Sequence, residues 1–250
     1  MKYLKDRLLI SGMDPKGDKL AREYGVGFEV TKFSWVGAFD DPQNYEIVKK
    51  QIQGIGNLWL HAPFAELTPC AIDPLVRQVT RRRYKQTIEI ARKFGIKSLV
   101  IHDGFVPMLY FPQWFVEQSI AFWKDFLKTF PRDMEIALEN IMDPNPDMLV
   151  EIVREVDDPR LRICLDIGHA NTFVSKLLPY NWIEPVAPYL SHAHIHNNEG
   201  DKDIHSALGT GTIDMKKVLD ALLMTDASIT VETMAGKESV EWLVDNGYLE

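Results

Sequence analysis

The sequence predicts a single-domain α/β protein, a closed (β/α)₈ barrel that spans residues 1–250. Eight short segments rich in β-branched or aromatic residues recur along the chain, and stretches with helical periodicity separate most of them. Polar residues also end strand after strand, whereas an open doubly wound sheet concentrates its site at one switch point. The doubly wound sheet remains the alternative, but no G-x-G-x-x-G motif follows an early strand.

The elements follow one another in a regular order. The predicted strands lie at 8–11, 26–30, 58–62, 98–102, 136–140, 163–167, 192–196 and 229–233. The predicted helices lie at 15–24, 43–54, 74–94, 113–129, 145–156, 214–224 and 236–246. The third helix has the clearest periodicity, and its apolar residues are predicted to share one face: Leu75, Val79, Ile88, Ala91 and Phe94. Gly95 follows it as a stop signal.

Composition excludes several classes of protein. The net charge of -8 and the pI near 5.4 argue against binding of nucleic acid through general basicity. Two cysteines far apart in sequence, Cys70 and Cys164, do not indicate a disulfide framework. The amino-terminal apolar run is too short for a signal peptide, and no run is long enough to span a membrane. We therefore expect a cytoplasmic protein.

Histidines and carboxylates end most of the predicted strands. Four of the seven histidines lie between residues 190 and 211, where His192, His194 and His196 alternate along one strand and share a face. The carboxyl ends of barrel strands converge on one mouth. Buried charged groups are costly unless they are paired or metal-bound, so this ring of donors predicts a divalent cation.

The same motifs identify a known superfamily. The segments L-H-A-P-F, V-I-H-D-G, A-L-E-N, C-L-D-I-G-H, H-I-H-N-N-E-G and D-I-H-S-A-L-G-T-G-T-I-D occur in this order between about residues 25 and 235. They resemble those of the xylose isomerase-like TIM-barrel superfamily. That superfamily contains sugar and sugar phosphate isomerases and epimerases, and also the endonuclease IV branch of DNA repair.

The resemblance implies a four-ligand metal site at Glu139, Asp166, His194 and Glu232. It also implies that Glu139 and Glu232 act as the catalytic acid/base pair. Zn²⁺, Mn²⁺, Mg²⁺ or Co²⁺ would suit such a mixed oxygen and nitrogen site. The preferred hypothesis is an isomerase or epimerase that acts on a sugar, a sugar phosphate or a related keto-polyol. Such an enzyme abstracts a proton next to a carbonyl.

The endonuclease IV pattern implies a larger site and a different reaction. It adds five metal ligands for a total of three zinc ions: His61, His102, His169, Asp203 and His205. The alternative hypothesis is therefore a multinuclear zinc phosphoesterase that acts on abasic DNA or another phosphodiester. Predicted sugar isomerases of the same superfamily also commonly resemble H-A-P-F and D-x-H-x-x-L-G-x-G, so the full ligand set does not by itself choose between the two. Asp203 and His205 are the discriminating pair, because metal binding there would make the site multinuclear and favour the hydrolase. A non-catalytic barrel that binds metal is a third hypothesis.

The expected partner is a small carbohydrate, and nucleic acid is disfavoured. The one basic cluster lies within the third helix and is predicted to be a solvated outer face: Arg77, Arg81, Arg82, Arg83 and Lys85. The predicted substrate-binding residues are Phe64 for the carbon skeleton, Asn140, His196 and Asn197 for hydroxyl groups, and Lys237 for a phosphate. His192 is predicted to line the barrel. The resemblance also permits a homo-oligomer.

Overall fold

Eight parallel strands form a closed barrel, and each strand pairs with the next along the chain until β8 returns to β1. The computed structural model describes residues 4–250, so residues 1–3 of the predicted domain lie outside the described part. The strands are β1 (Leu8–Ser11), β2 (Gly27–Val30), β3 (Leu58–His61), β4 (Ser98–His102), β5 (Glu135–Glu139), β6 (Leu161–Asp166), β7 (Leu190–Ile195) and β8 (Ser228–Val231). The predicted (β/α)₈ fold is confirmed.

A helix follows every strand. The helices are α1 (Gly17–Tyr24), α2 (Pro42–Gln51), α3 (Pro74–Lys93), α4 (Pro112–Phe126), α5 (Asp147–Val156), α6 (Ile183–Val186), α7 (Met215–Leu222) and α8 (Gly236–Asp245). Local sequence explains where several begin. In α3 the side chain of Asp73 accepts a hydrogen bond from the Leu75 backbone N–H, and Pro74 occupies the first turn. Among residues 4–250, no helix combines the length and the apolar character that crossing a membrane requires.

The sequence did not predict the sixth helix. Between β6 and β7 the chain forms a 3-10 helix at Pro179–Trp182, and the four-residue α6 follows it directly. The segment is too short to show a helical period, and Pro179 and Pro185 resemble loop punctuation. Trp182 is fully buried there, so tertiary packing holds the segment in place.

The predicted apolar face of α3 was wrong at its amino-terminal half. Ile88 and Ala91 are buried as predicted, but Leu75 is 65% exposed and Val79 is 51% exposed. The buried positions nearest to that end are taken by Thr80 and Tyr84. The Thr80 hydroxyl donates to the Val76 carbonyl and accepts from the Thr68 backbone N–H, so a polar residue faces inward there.

The barrel interior is layered. Its apolar floor consists of Leu9, Trp59, Val100, Ala137 and Cys164. The fully buried His192 stacks on Trp59, with ring centroids 4.0 Å apart, and begins the polar layers above. Paired positions in parallel strands place their side chains on the same side of the sheet. His102 of β4 pairs with Glu139 of β5, and Asp166 of β6 pairs with His194 of β7. The register therefore directs these four side chains to the same place.

Both cysteines, Cys70 and Cys164, are buried and free.

Candidate metal centre

The nine predicted metal ligands meet at the carboxyl-terminal mouth of the barrel, where they form three adjoining clusters. Six of them end strands or lie just beyond strand ends, and the others come from the loops after β6 and β7. The full set is His61, His102, Glu139, Asp166, His169, His194, Asp203, His205 and Glu232.

The first cluster surrounds the Nδ1 atom of His194. This atom lies 3.1 Å from Glu139 Oε1, 3.1 Å from Glu232 Oε2 and 3.7 Å from Asp166 Oδ2. Donors bound to one ion at about 2.0–2.2 Å lie roughly 3.0–3.6 Å from one another. The distances from His194 to the two glutamates fall within this range, and the distance to Asp166 is slightly longer.

Glu29 orients His194 from the layer below. Its Oε2 atom accepts hydrogen bonds from His194 Nε2 (3.1 Å), His192 Nε2 (3.0 Å) and the Thr230 hydroxyl (2.7 Å). A hydrogen bond from Nε2 fixes the tautomer that leaves Nδ1 free to bind metal. Burial opposes ionisation of Glu29, but His194 and His192 lower the pKa of its carboxyl well below the ordinary value.

Sequence reasoning did not include Glu29 in the site. The available signal was a single carboxylate inside the otherwise apolar segment G-F-E-V. All four residues of β2 are buried, so this carboxylate needed a partner.

The second cluster joins His61 and His102 to the other oxygen of Glu139. The Nε2 atoms of both histidines lie 3.3 Å from Glu139 Oε2. The Nδ1 of His61 donates to the Ala62 carbonyl at 2.8 Å, which leaves its Nε2 as the ligand atom.

The surroundings of the Glu139 carboxylate indicate whether a cation would fit this site. Its Oε2 atom is buried and makes no well-aligned hydrogen bond, although His61 Nε2 and His102 Nε2 lie 3.3 Å from it. Burial opposes ionisation, but His194 and His102 lower the pKa of the Glu139 carboxyl well below the ordinary value. A buried, ionised oxygen whose hydrogen bonds are poorly aligned is stabilised by a positive charge, and the two imidazole nitrogens beside it are suited to zinc. The residues present therefore fit a bound divalent ion.

The third cluster contains the loop residues that discriminate between the hypotheses. The Nε2 atoms of His169 and His205 each lie 3.1 Å from Asp203 Oδ2. Their Nδ1 atoms donate to backbone carbonyls, of Asn140 at 2.8 Å and of Glu232 at 2.9 Å. Each ring is therefore held with Nε2 directed towards the shared carboxylate oxygen.

Charge and backbone strain also mark this third cluster. Burial disfavours the charged form of His205, but the hydrogen bond to Asp203 raises the pKa of His205 to about 9. Burial opposes ionisation of Asp203, but His169 and His205 lower the pKa of its carboxyl. His205 has a φ of 46°, a left-handed conformation that is uncommon outside glycine. Strain of this kind concentrates at functional sites.

Asp166 connects the first and third clusters. Its Oδ1 atom accepts from the backbone N–H of His169 at 2.6 Å and from His196 Nε2 at 3.1 Å. Burial raises the pKa of the Asp166 carboxyl, but His169 and His196 outweigh it and lower the pKa to about 2. Gly168 is required at this point, because a Cβ there would lie 1.8 Å from His196 Cε1.

Two of the predicted substrate-binding residues instead hold the loops together. The amide of Asn140 donates to the Asp166 carbonyl at 3.0 Å and accepts from the Asp166 backbone N–H at 2.8 Å. The Asn197 amide donates to the carbonyls of Leu208 and Ile213. Because these amide groups are engaged with backbone, we assign neither residue a substrate contact.

The other predicted substrate residues lie in different surroundings. His196 is fully buried between Asp166 and the ring of His205, which stacks on it at 3.9 Å. Lys237 has 72% of its side chain exposed and lies 3.5 Å from Glu241 on the outside of α8. Phe64 borders the cavity at the mouth.

That cavity has a volume of about 450 Å³. Donors of all three clusters line it, among them His61, His102, His169 and Glu232. The basic cluster of α3 does not contribute to it. Arg81 of that cluster lies 3.0 Å from Asp125 and packs over the ring of Phe122, between α3 and α4.

Of two curated relatives, only one has a name that states an activity. Uncharacterized protein MJ1311 of Methanocaldococcus jannaschii is 29% identical over 73% of this chain and 66% of its own length. The match thus spans just under two thirds of that relative. A probable endonuclease 4 of Ureaplasma parvum is 24% identical over 77% of this chain and 69% of its own length.

Solved structures share the whole fold. A D-tagatose 3-epimerase-like protein aligns with a TM-score of 0.78 and 23% identity over 97% of this chain and 96% of its own. The TTHB071 protein from Thermus thermophilus, in a crystal soaked with ZnCl2, aligns with a TM-score of 0.77 and 22% identity over 96% of this chain and 97% of its own. The model of the xylose isomerase-like TIM barrel family matches residues 19–246. The chain therefore belongs to the xylose isomerase-like TIM barrel family.

Proposed function

We propose that this protein is a phosphate ester hydrolase with a multinuclear divalent-metal centre. One observation carries the proposal: the two oxygens of Glu139 face two different clusters. Oε1 lies 3.1 Å from His194, and Oε2 lies 3.3 Å from both His61 and His102. A carboxylate placed in this way would contribute one oxygen to each of the two clusters.

Nine residues would hold the metal ions, and zinc suits their chemistry best because five of the nine supply imidazole nitrogens. Bound ions supply Lewis acidity that activates water and neutralises charge on phosphoryl oxygens. The hydrogen bonds from His61, His169 and His205 to backbone carbonyls hold their Nε2 atoms in place before an ion binds. Glu29 accepts a hydrogen bond from His194 Nε2 and so holds the Nδ1 atom of His194 in place.

The carboxylates would also handle protons. Glu232 is 4% exposed and borders the cavity, so it can contact a substrate bound there. Its Oε2 atom, 3.1 Å from His194 Nδ1, is placed to accept a proton from a water molecule that attacks phosphorus. The name of the relative from Ureaplasma parvum, probable endonuclease 4, supports hydrolysis of a phosphate ester.

The isomerase or epimerase predicted from the sequence is the second candidate. A specific observation favours it: Glu139 and Glu232 both lie 3.1 Å from His194 Nδ1. Two carboxylates around one ion are suited to moving a proton next to a sugar carbonyl, and Mn²⁺, Mg²⁺ or Co²⁺ would serve as well as Zn²⁺. This candidate uses four of the nine donors and gives no role to the pairing of Asp203 with His169 and His205.

Two assays on the same metal-loaded preparation separate the candidates. The first follows p-nitrophenolate release from bis(p-nitrophenyl) phosphate. The second follows incorporation of solvent deuterium into a panel of ketoses and ketose phosphates, which reports abstraction of the α-proton. We expect ester hydrolysis without deuterium exchange. Exchange without hydrolysis would establish the isomerase and refute the hydrolase.

A further inference from the structure

The cavity above the metal clusters has two chemically different halves. One half consists of metal donors. The other is mostly apolar, and its side chains come from the loops after β3, β4 and β5: Phe64, Leu67, Phe105, Val106, Ile141 and Met142, with Glu66 and Thr68 of the first of these loops beside them. Among the described residues that line the cavity, none is a lysine or an arginine. Among the described residues that line the cavity, none would add positive charge to that of the metal ions beside a bound phosphoryl group, because its four histidines would be neutral metal ligands.

This distribution of charge does not match a nucleic acid. Binding of a DNA duplex depends on phosphate contacts, most of them from lysine and arginine. The basic cluster of α3 lies away from the cavity, and Arg81 within it is engaged with Asp125. Lys237 is paired with Glu241 outside the cavity. A ligand that enters this cavity therefore carries few phosphates.

Phe64 occupies the boundary between the two halves. Its ring stacks on His102 with centroids 4.5 Å apart and an interplanar angle of 21°, and its edge meets the ring of His61 at 5.8 Å. These contacts fix the ring beside the second cluster, while 43% of the residue stays exposed. Met142 is 45% exposed and supplies a flexible, polarizable thioether to the same half. An aromatic ring and a thioether are suited to a planar apolar group.

We propose that the substrate is a small phosphate ester that carries an apolar, planar organic group. The phosphoryl group lies at the metal clusters, and the organic group packs against Phe64 and Met142. A cavity of about 450 Å³ suits a ligand of this size. The inference rests on the proposed hydrolase function and adds the class of substrate to it.

The test compares two diesters that have the same leaving group. Methyl p-nitrophenyl phosphate and phenyl p-nitrophenyl phosphate both release p-nitrophenolate, so they differ in the retained group that the apolar half would bind. In each reaction the water oxygen bonds to phosphorus, the P–O bond to p-nitrophenolate breaks, and the protons from water pass to the buffer. We expect kcat/KM to be about tenfold or more higher for the phenyl ester, as burial of a ring predicts.

Variants assign that preference to the apolar half. Phe64→Ala should reduce the phenyl-to-methyl ratio to about threefold or less, and Phe64→Leu should retain part of it. Met224→Ala is the matched control, because Met224 is exposed and lies outside the cavity. It should leave the ratio unchanged. A wild-type ratio near one, or preferential cleavage of an abasic DNA duplex, would overturn the inference.

A binding measurement separates failure of this inference from failure of the proposed function. Phenylphosphonate and methylphosphonate are titrated calorimetrically into the zinc-loaded protein, and neither has an ester bond to cleave. Equal affinities together with diester hydrolysis would overturn the substrate class and leave the hydrolase standing. Tighter binding of phenylphosphonate without any hydrolysis would support the apolar subsite and overturn the hydrolase.

Discussion

Replacement of Glu29 by glutamine should weaken metal binding although Glu29 is outside the predicted ligand set. Glutamine keeps the size of the side chain but removes the charge that His192 and His194 contact at 3.0 and 3.1 Å. A hydrogen bond to an ionised acceptor stabilises by about 1.5–3 kcal/mol, against about 1 kcal/mol for a neutral acceptor. At His194 alone this difference corresponds to about a tenfold loss of affinity, and hundredfold losses occur when such partners of metal ligands are removed.

Competition with a chromophoric chelator resolves the zinc dissociation constants one by one. Glu29→Gln should weaken the step that belongs to the His194 cluster by about 10- to 100-fold and leave the other steps unchanged. Thr230→Val is the control, because it removes only the neutral hydroxyl that donates to Glu29 at 2.7 Å. It should change affinity less than Glu29→Gln. Thermal unfolding of the metal-free proteins verifies that both variants fold. Zinc constants for Glu29→Gln equal to those of the wild type would refute the role assigned to Glu29.

Three further predictions test other parts of the site. Gly168→Ala places a Cβ 1.8 Å from the buried ring of His196. The free energy of unfolding measured with denaturant should therefore fall by about 1–3 kcal/mol, and an unchanged midpoint would contradict this packing. Glu139→Gln should lower turnover by at least about 100-fold while the circular dichroism spectrum stays unchanged. Turnover equal to that of the wild type would contradict the role of Glu139 as a metal ligand. The raised pKa of His205, about 9, stabilises the metal-free protein fully below its unfolded value near 6.5. That contribution is lost as the pH rises towards 9, so the Tm of metal-free protein should fall across this window, and a flat profile would contradict it.

Most of the fold follows from the sequence because most strands are short apolar runs that end at a polar residue or lie next to one. The segments around His61, His102 and Glu139 indicated both the strands and the mouth they face. The α6 segment could not be predicted from the sequence, because it has only one helical turn and its position depends on the packing of Trp182. The face of α3 was misjudged because an inward threonine, Thr80, contributes no hydrophobic signal.

The sequence showed which residues supply donor atoms more reliably than it showed what each residue contacts. Spacing along β7 placed His192, His194 and His196 on one face, but it did not show which would meet a carboxylate from another strand. Asn140 and Asn197 looked like free polar groups, yet their partners are backbone atoms that only the folded loops bring near. A cytoplasmic location and a homo-oligomeric state stay predictions.

Metal content tests the central claim, that the mouth of the barrel holds a multinuclear centre. Protein purified without chelator should contain more than one divalent ion per chain, and Asp203→Asn should contain one ion fewer. This difference is expected because Asp203 is the carboxylate that both His169 and His205 face at 3.1 Å. A single ion per chain, unaffected by Asp203→Asn, would contradict the multinuclear centre and the hydrolase built on it.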